Sequence, residues 1–414
     1  MIHIGKRNSN FEQTVDGWVE VAIRSRPHLF RTLVSALPGV YPLNVMNSLT
    51  RLSANGIVSA KTTLPLLQDA KRRSLKTNGI SQDKLPVPHP VDFDWRFAPT
   101  ATRALSRISQ SLGKRIACLG TPSVFANLNK SRSSSNSHYF DRCDASINFF
   151  KSIGLLNVDR LDCFRDFPPS SQFDVIVMDP PWYEDEYKAF MWMASQLVHV
   201  NGFVVLVLPP LGTRPNVTLE RSCVLEWGER LGMNLVHLSE GCLPYMTPHF
   251  ELNSLHNAGI YCELGSWRRG TLAVFEIQQR RRVSRPPNTS KCEWDEAVCL
   301  GTRFRFKRRR AFGLVDLRLD TIVKGDVLSS VSRTDPVRPA VDVWTSGNRV
   351  FGCEGPTQLY KLFSRLISSP RRASVDLSEG GPHHEFEAVR QLVSLAKHEK
   401  LERDRGCYTP CIVS

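Results

Sequence analysis

The sequence predicts an α/β domain with a doubly wound, parallel sheet over residues 96–279. Short runs rich in β-branched residues alternate there with segments of helix length, and parallel strands need such crossover connections. The runs are apolar almost throughout, as in FDVIVMD and GFVVLVLP, which is typical of strands that are buried on both faces. A smaller region with both strands and helices is predicted to follow.

Six strands are predicted in this domain, namely RIACLG, SHYFDRCD, FDVIVMD, GFVVLVLP, LVHL and TLAVFEI. The first ends in a glycine, and the second and third end in acidic residues. Ligands of open α/β sheets bind outside the carboxyl ends of the strands. The residues that follow these three strands are therefore the first candidates for a functional site.

Residues 1–80 are predicted to be helical, because HLFRTLVSAL and VMNSLTRLSANGI carry apolar residues at i, i+3, i+4 spacing. A turn, PGVYPL, separates them, and Asn55-Gly56 is a helix-stop signal. With the short apolar stretch 57–60, this order resembles a winged helix-turn-helix. A helical cap on the next domain is the alternative. Residues 81–95, rich in Pro and Asp, are predicted to be a linker.

Residues 280–414 are predicted to form a basic linker and a C-terminal α+β region. Eleven Lys or Arg stand against three acidic residues between 280 and 310. The alternation in RFRFKRRR suits an exposed strand, and its basic and aromatic side chains could follow a phosphate backbone. A solvated charged face is the alternative. The segments TQLYKLFSRLI and EFEAVRQLVSLAKHEKLE are predicted to be amphipathic helices.

Composition limits the class of protein. The 414 residues carry 54 Lys or Arg and 40 Asp or Glu, a net charge of +14, which favours polyanionic partners such as DNA or RNA. The eleven cysteines are scattered without a CxxC pair, so zinc ribbons lose their usual signature and no metal site is predicted. We expect a cytoplasmic protein without a membrane segment, since no secretory signal and no apolar run near ~20 residues occur.

The most specific motif is Asp179-Pro180-Pro181-Trp182, directly after FDVIVMD. Because proline has a fixed φ and no N–H, the Pro180 carbonyl stays free to accept a hydrogen bond. With the Asp179 carboxylate it could hold the two N–H groups of an exocyclic amine. Trp182 offers a flat face on which a base can stack. A proline-rich turn around a buried tryptophan is the alternative.

This motif resembles the D/N-P-P-Y/F/W motif of class I S-adenosylmethionine (AdoMet)-dependent amino-methyltransferases, which follows the fourth strand of a Rossmann-like sheet. IACLGTPSVFA resembles the family's first strand and AdoMet loop. Its Gly120-Thr121-Pro122 matches best the zinc-finger rRNA adenine methyltransferase group. YFDRCD resembles the second strand, whose acid holds the ribose hydroxyls of AdoMet. The resemblance implies this role for Asp141, with Asp144 as the alternative.

The resemblance covers residues 95–279 and departs from the family in one loop, where a single glycine before Thr-Pro replaces Gly-x-Gly. The sequence DPPW itself is similar to that of the mRNA N6-adenosine methyltransferase family, in which the motif precedes the AdoMet glycines. Here it follows them, as in the DPPF/NPPF adenine enzymes. Asp162 could lie near the AdoMet adenine, or could be an exposed loop acid.

A second group of candidate residues lies in LPYMTPHFELNSLHNAGIY. Tyr245, His249, Phe250 and Asn253 could form a substrate-binding lid over DPPW, or the segment could be a structural connection. The turn at 267–270, Trp-Arg-Arg-Gly, could contact phosphate or be merely solvated.

The resemblance implies an N6-adenine methyltransferase that acts on DNA or RNA, with AdoMet as methyl donor. A protein lysine or glutamine methyltransferase is the first alternative, because the same motif class also methylates side-chain amines. A catalytically silent AdoMet-fold protein that binds nucleic acid is the second. The N-terminal helical region could bind nucleic acid or a protein partner.

Overall fold

The computed structural model describes residues 2–73, 85–130, 136–170, 172–288, 293–309, 316–368 and 383–405. The chain forms two compact units that alternate along the sequence. The first contains Met1–Arg73, Trp95–Thr247 and Tyr261–Thr289, and the second contains Ser74–Asp94, Pro248–Ile260 and Ser290–Ser414. None of the described helices combines the length and the apolar character needed to cross a membrane.

The first unit contains helices α1 to α9 and strands β1 to β7. The helices are α1 Ile2–Ile23, α2 Phe30–Ala36, α3 Pro42–Ala54, α4 Ala60–Lys71, α5 Pro99–Leu112, α6 Pro122–Leu128, α7 Asp144–Ser152, α8 Glu184–Leu197 and α9 Val217–Arg230. The strands are β1 Ile116–Leu119, β2 Ser137–Asp141, β3 Val158–Arg160, β4 Phe173–Met178, β5 Val198–Leu208, β6 Met233–Pro244 and β7 Arg269–Ile277.

The seven strands form one sheet in the order β3-β2-β1-β4-β5-β7-β6. Neighbours from β3 to β5 pair in parallel, and β7 runs antiparallel to both β5 and β6. The central strands β1 and β4 are buried along almost their whole length, as expected for a sheet covered by helices on both faces. The predicted α/β class is confirmed, and the sheet is Rossmann-like with the order of class I methyltransferases. Strand β7 was predicted but its antiparallel direction was not, and β3 was not among the six predicted strands.

The N-terminal region belongs to the first unit and is helical, as predicted. An ion pair of 2.7 Å between Asp16 and Arg51 joins α1 to α3, and the Asp69 carboxylate of α4 accepts the amide N–H of Phe30 at the start of α2 (2.9 Å). Residues 57–60 lead directly into α4, and within residues 2–73 no strand is assigned. The wing of a winged helix-turn-helix is therefore not formed there.

The second unit contains α10 to α12 and β8 to β12. The helices are α10 His249–Asn257, α11 Pro356–Ser368 and α12 His383–Arg405, and the strands are β8 Trp294–Cys299, β9 Thr302–Lys307, β10 Asp320–Thr321, β11 Val343–Thr345 and β12 Val350–Gly352. The antiparallel order is β10-β12-β11-β9-β8. The predicted C-terminal α+β region is confirmed.

The prediction of an exposed strand at RFRFKRRR was wrong. Residues 303–307 of this segment lie in β9, an internal strand, and Phe304 and Phe306 are fully buried in the core with Phe363 of α11. Because side chains alternate between the two faces of a strand, Arg303 and Arg305 point away from that core. There both form ion pairs with Asp92 and Glu296.

Other basic residues of the stretch also have acidic partners within the second unit. Arg308 pairs with Glu293 and Asp295, and Arg309 pairs with Asp342. The Asp295 carboxylate raises the pKa of Arg308. Much of the local positive charge that the sequence shows is therefore balanced, and β9 does not offer the basic and aromatic side chains of a phosphate-binding surface.

Candidate active site

The DPPW motif lies at the centre of the carboxyl edge of the sheet. Asp179 directly follows β4, which pairs in parallel with β1 on one side and β5 on the other. Since β1 also pairs in parallel with β2, the loops after β1, β2 and β4 leave the same edge. Gly120, Asp141 and Asp179 are thus the residues at the ends of three adjacent strands, as the sequence predicted.

Two aromatic side chains orient the Asp179 carboxylate. Tyr245 donates its hydroxyl to Oδ2 over 2.8 Å, and the Trp182 indole N–H faces Oδ1 at 3.4 Å. Burial, with the negative charge of Asp179, raises the pKa of Tyr245 well above its ordinary value, so Tyr245 stays a hydrogen-bond donor. A carboxylate has about four acceptor positions, so Asp179 can accept further hydrogen bonds from an amine.

Trp182 is only 8% exposed, and its indole face is not open in this structure. The guanidinium carbon of Arg268 lies over its ring at 4.3 Å from the centroid. The same carbon lies over the ring of Trp95 at 4.2 Å. The flat face that the sequence suggested for a stacked base is therefore covered by a planar cation of the protein itself.

Arg214 anchors the loop of the motif from the other side. Its guanidinium donates to the Trp182 carbonyl oxygen and to the Glu220 carboxylate, and it lies over the ring of Tyr183 at 5.1 Å. This cation fixes the backbone after the two prolines. Neither Arg214 nor Trp95 was predicted from the sequence. Trp95 gave one weak signal, an isolated tryptophan at the end of a segment rich in Pro and Asp.

The loop after β1 contains three of the residues that were predicted to hold AdoMet. Gly120 has φ +67°, a left-handed backbone conformation that favours glycine over residues with a Cβ. Its N–H donates to the Phe140 carbonyl at 2.9 Å. Thr121 is buried, with its hydroxyl facing the Val177 carbonyl at 3.4 Å, and Pro122 begins α6. This turn places the start of α6 directly after β1, at the carboxyl edge of the sheet.

Asp141 fits the ribose-binding role better than Asp144 does. Asp141 is partly buried at the end of β2, where its carboxylate accepts the Cys143 amide N–H at 2.9 Å and the Tyr139 hydroxyl. Its place at the carboxyl end of β2 is the one that the resemblance assigns to the ribose-binding acid. The Asp144 side chain is 71% exposed and pairs with Arg160 at 3.4 Å. Asp162 accepts the Phe164 amide N–H of its own loop and is not an exposed acid.

Of the four predicted lid residues, the structure brings Tyr245 to the DPPW motif. His249, Phe250 and Asn253 belong to α10 in the second unit, and all three are buried. Asn253 donates its amide to the Gly347 carbonyl at 2.8 Å. Burial and the cations Arg403 and Arg349 lower the pKa of His249 to about 3. These surroundings are those of a structural element, and a substrate contact of the three stays a prediction.

The comparisons with known proteins agree with this architecture. Residues 93–235 match the family model described as probable N6-adenine methyltransferase. No curated protein matches the chain. The matched segment contains the loop after β1 and the DPPW motif.

The chain contains a methyltransferase domain. The methyl donor of such domains is AdoMet. Among solved structures, this methyltransferase chain is similar to a branched-chain polyamine synthase from Thermus thermophilus, with 12% identity, 66% of this chain and 89% of that chain covered, and a TM-score of 0.48. It is also similar to the 16S rRNA N2 G1207 methyltransferase of the same organism, with 16% identity and a TM-score of 0.29. That match covers 54% of this chain and 51% of the other chain.

Proposed function

We propose that this protein is an AdoMet-dependent N6-adenine methyltransferase that acts on DNA or RNA. The observation that carries the proposal is the Asp179 carboxylate. It stands at the carboxyl end of the central strand β4, oriented by Tyr245 and Trp182, inside the segment that matches the family model. The net charge of +14 supports a polyanionic substrate. A cytoplasmic location and a protein partner at the N-terminal helices remain parts of this proposal.

The proposed chemistry is a direct transfer of a methyl group to a nitrogen. Asp179 and the Pro180 carbonyl accept the two N–H groups of the exocyclic amine and draw the nitrogen towards tetrahedral geometry, which localises its lone pair. An N–C bond forms as the C–S bond of the donor breaks. The nitrogen becomes positively charged beside the Asp179 carboxylate, which stabilises that charge, and a proton is then lost to water. Gly120, Thr121, Pro122 and Asp141 would hold AdoMet.

A protein methyltransferase is the second candidate, and one contact favours it. The Arg268 guanidinium over Trp95 and Trp182 indicates that these aromatic faces accept a cation, as the side chain of a lysine substrate would require. The oriented carboxylate of Asp179 would accept hydrogen bonds from a side-chain amine as readily as from adenine. The two candidates therefore share Asp179 and differ in the polymer.

The test is transfer of labelled methyl from AdoMet to DNA, RNA and protein in parallel. We expect label in nucleic acid as N6-methyladenine, inhibited by heparin. Asp179→Asn should lower transfer by a factor of about 100 or more, because the amide cannot stabilise the developing charge. AdoMet affinity and melting temperature should stay unchanged. Glu229→Gln, the same chemical change on the exposed end of α9, is the matched control.

Each other outcome has a defined meaning. Label in protein alone would replace this proposal with the second candidate. Full activity of Asp179→Asn would exclude the proposed mechanism, and absence of AdoMet binding by the folded protein would leave a silent binding module.

A further inference from the structure

Resting on the proposed function, we propose that the faces of Trp95 and Trp182 form the binding site for the target base, and that Arg268 occupies this site until the base enters. All three residues belong to the first unit. The inference adds two residues to the proposed site, Trp95 and Arg268, and gives the arginine a defined role in substrate entry.

The aromatic surroundings of Arg268 support a site for a flat group. Its guanidinium carbon lies 4.2 Å from the Trp95 centroid and 4.3 Å from the Trp182 centroid. Tyr245 meets both indoles edge to face, with centroids 6.3 Å from Trp95 and 5.6 Å from Trp182. Because the Tyr245 hydroxyl also donates to Asp179, a flat group over these indoles lies beside the carboxylate that the reaction needs.

A guanidinium and a nucleobase compete for such a space. Both are planar and delocalised, and both stack on aromatic faces. Trp182 has little exposed surface while the cation covers it, so a base can stack there only after the arginine side chain has moved away. Arg268 is thus a substitute for the substrate in the free protein.

The backbone around Arg268 allows this exchange without a change of fold. The Arg268 carbonyl accepts the Tyr245 amide N–H at 2.9 Å, which ties the backbone to the site, and β7 begins at the next residue. The side chain beyond this anchor is only partly buried and has four rotatable bonds. A nucleic-acid substrate supplies phosphates, which bind a guanidinium in bidentate fashion. Entry of the base and neutralisation of the displaced cation can therefore occur together.

Adenosine is the sharpest probe, because it carries the base and no phosphate. In calorimetric titrations, Arg268→Ala should bind adenosine roughly 10-fold more tightly than the wild type, since the competing cation is gone. Adding Trp95→Leu to that variant should remove the gain, whereas Trp95→Phe, which keeps a ring, should retain most of it. Arg282→Ala, an exposed arginine of the same unit, is the control and should not change the affinity.

The second measurement uses a single-stranded oligonucleotide that contains adenine. For Arg268→Ala, the slope of log affinity against log salt concentration should become shallower by about 1, which corresponds to the loss of one phosphate contact. Melting temperatures of all variants establish that each is folded. Unchanged or weaker adenosine binding by folded Arg268→Ala would overturn the inference, and so would tighter binding of lysine amide with no change for adenosine.

These results can be separated from those of the transfer assay. Tighter adenosine binding without any methylation of nucleic acid would retain the base site and reject the proposed function. Methylation of adenine with no effect of Arg268 or Trp95 on adenosine affinity would retain the function and reject the base site.

Discussion

Tyr245 is the residue that holds one oxygen of Asp179 in place, through a hydrogen bond of 2.8 Å inside an aromatic environment. Tyr187 is a useful comparison in the same unit. It too is fully buried, but its hydroxyl donates to the Val207 carbonyl at 2.8 Å rather than to Asp179, whose negative charge acts on it through space and, after burial, raises its pKa. The two tyrosines therefore separate an effect on Asp179 from an effect on packing.

We predict that Tyr245→Phe lowers kcat for methyl transfer by a factor of about 10 or more, since a hydrogen bond to a charged carboxylate contributes ~1.5–3 kcal/mol. AdoMet affinity should not change. Tyr187→Phe should instead reduce the free energy of unfolding by about 1–3 kcal/mol, because a buried carbonyl loses its donor, and should leave kcat unaltered. Steady-state kinetics and urea unfolding measure both. Equal kcat for Tyr245→Phe and the wild type would contradict the orienting role.

The sequence indicated only those site residues that have a local signal. Asp179 and Gly120 are recognisable because each directly follows an apolar strand. Trp95 and Arg268 stand more than 80 residues from Trp182 in the chain, and only the folded sheet brings their side chains together. Covering of the Trp182 face could not be predicted, since it depends on this long-range contact.

Among the elements, β9 contrasts most with its predicted role. Arg303 on this strand is 1% exposed and forms ion pairs of 2.7 Å with Asp92 and 2.6 Å with Glu296. Arg282 belongs to the same basic stretch of sequence and is exposed. Two arginines about twenty positions apart therefore differ in their expected contribution to stability, because one is buried in ion pairs and the other is exposed to solvent.

Removing Arg303 should take one ion-pair partner from each of two partly buried carboxylates, those of Asp92 and Glu296. We predict that Arg303→Ala lowers the free energy of unfolding by ~3–5 kcal/mol, whereas Arg282→Ala changes it by less than about 0.5 kcal/mol. Guanidinium unfolding followed by circular dichroism makes the comparison. Similar stability of the two variants would show that the buried ion pairs contribute nothing net.

Strands β4 and β5 are joined by a pH-sensitive contact between Asp174 and His199. Both imidazole nitrogens face acceptors, Nδ1 the Val200 carbonyl (2.8 Å) and Nε2 the Asp174 carboxylate (2.9 Å), which raises the pKa of His199. Amide N–H donation from Arg115 first, then the imidazole and Lys114, lowers the pKa of Asp174. The folded state thus favours both charged forms.

The pH dependence of folding stability follows from the raised pKa of His199 and the lowered pKa of Asp174. A raised histidine pKa stabilises the fold below its unfolded value of about 6.5, and this contribution is lost as the pH rises through the folded pKa. The lowered Asp174 pKa stabilises above about pH 4 and is lost in more acidic solution. We predict that the stability difference between the wild type and His199→Gln is largest between about pH 4 and 6.5 and declines towards pH 9. A constant difference across urea unfolding curves from pH 5 to 9 would refute this.

Strands β4 and β5 were predictable because buried parallel strands have near-continuous apolar runs, whereas the three-residue β3 has no such run and was missed. The role of β9 could not be predicted, because an alternation of Arg and Phe fits an exposed strand and an internal strand equally well. The difference lies in Asp92, more than 200 residues away, whose carboxylate pairs with Arg303 and Arg305.

For the whole molecule, the net charge of +14 is more dispersed than the sequence suggests. Several of the arginines between 303 and 309 are neutralised by partners in the second unit. A nucleic-acid substrate is therefore expected to meet basic residues from separated parts of the chain rather than one continuous basic strand.

The chain passes from one unit to the other five times, at the boundaries 73/74, 94/95, 247/248, 260/261 and 289/290. A single proteolytic cut therefore cannot release either unit whole. Cleavage after residue 289 would separate most of the second unit from α10, whose Asn253 and Asn257 donate hydrogen bonds to the Gly347 and Val327 carbonyls. Any truncation meant to isolate the methyltransferase domain has to remove or replace this helix as well. Exchange of either unit for another domain therefore requires the replacement of three separate chain segments.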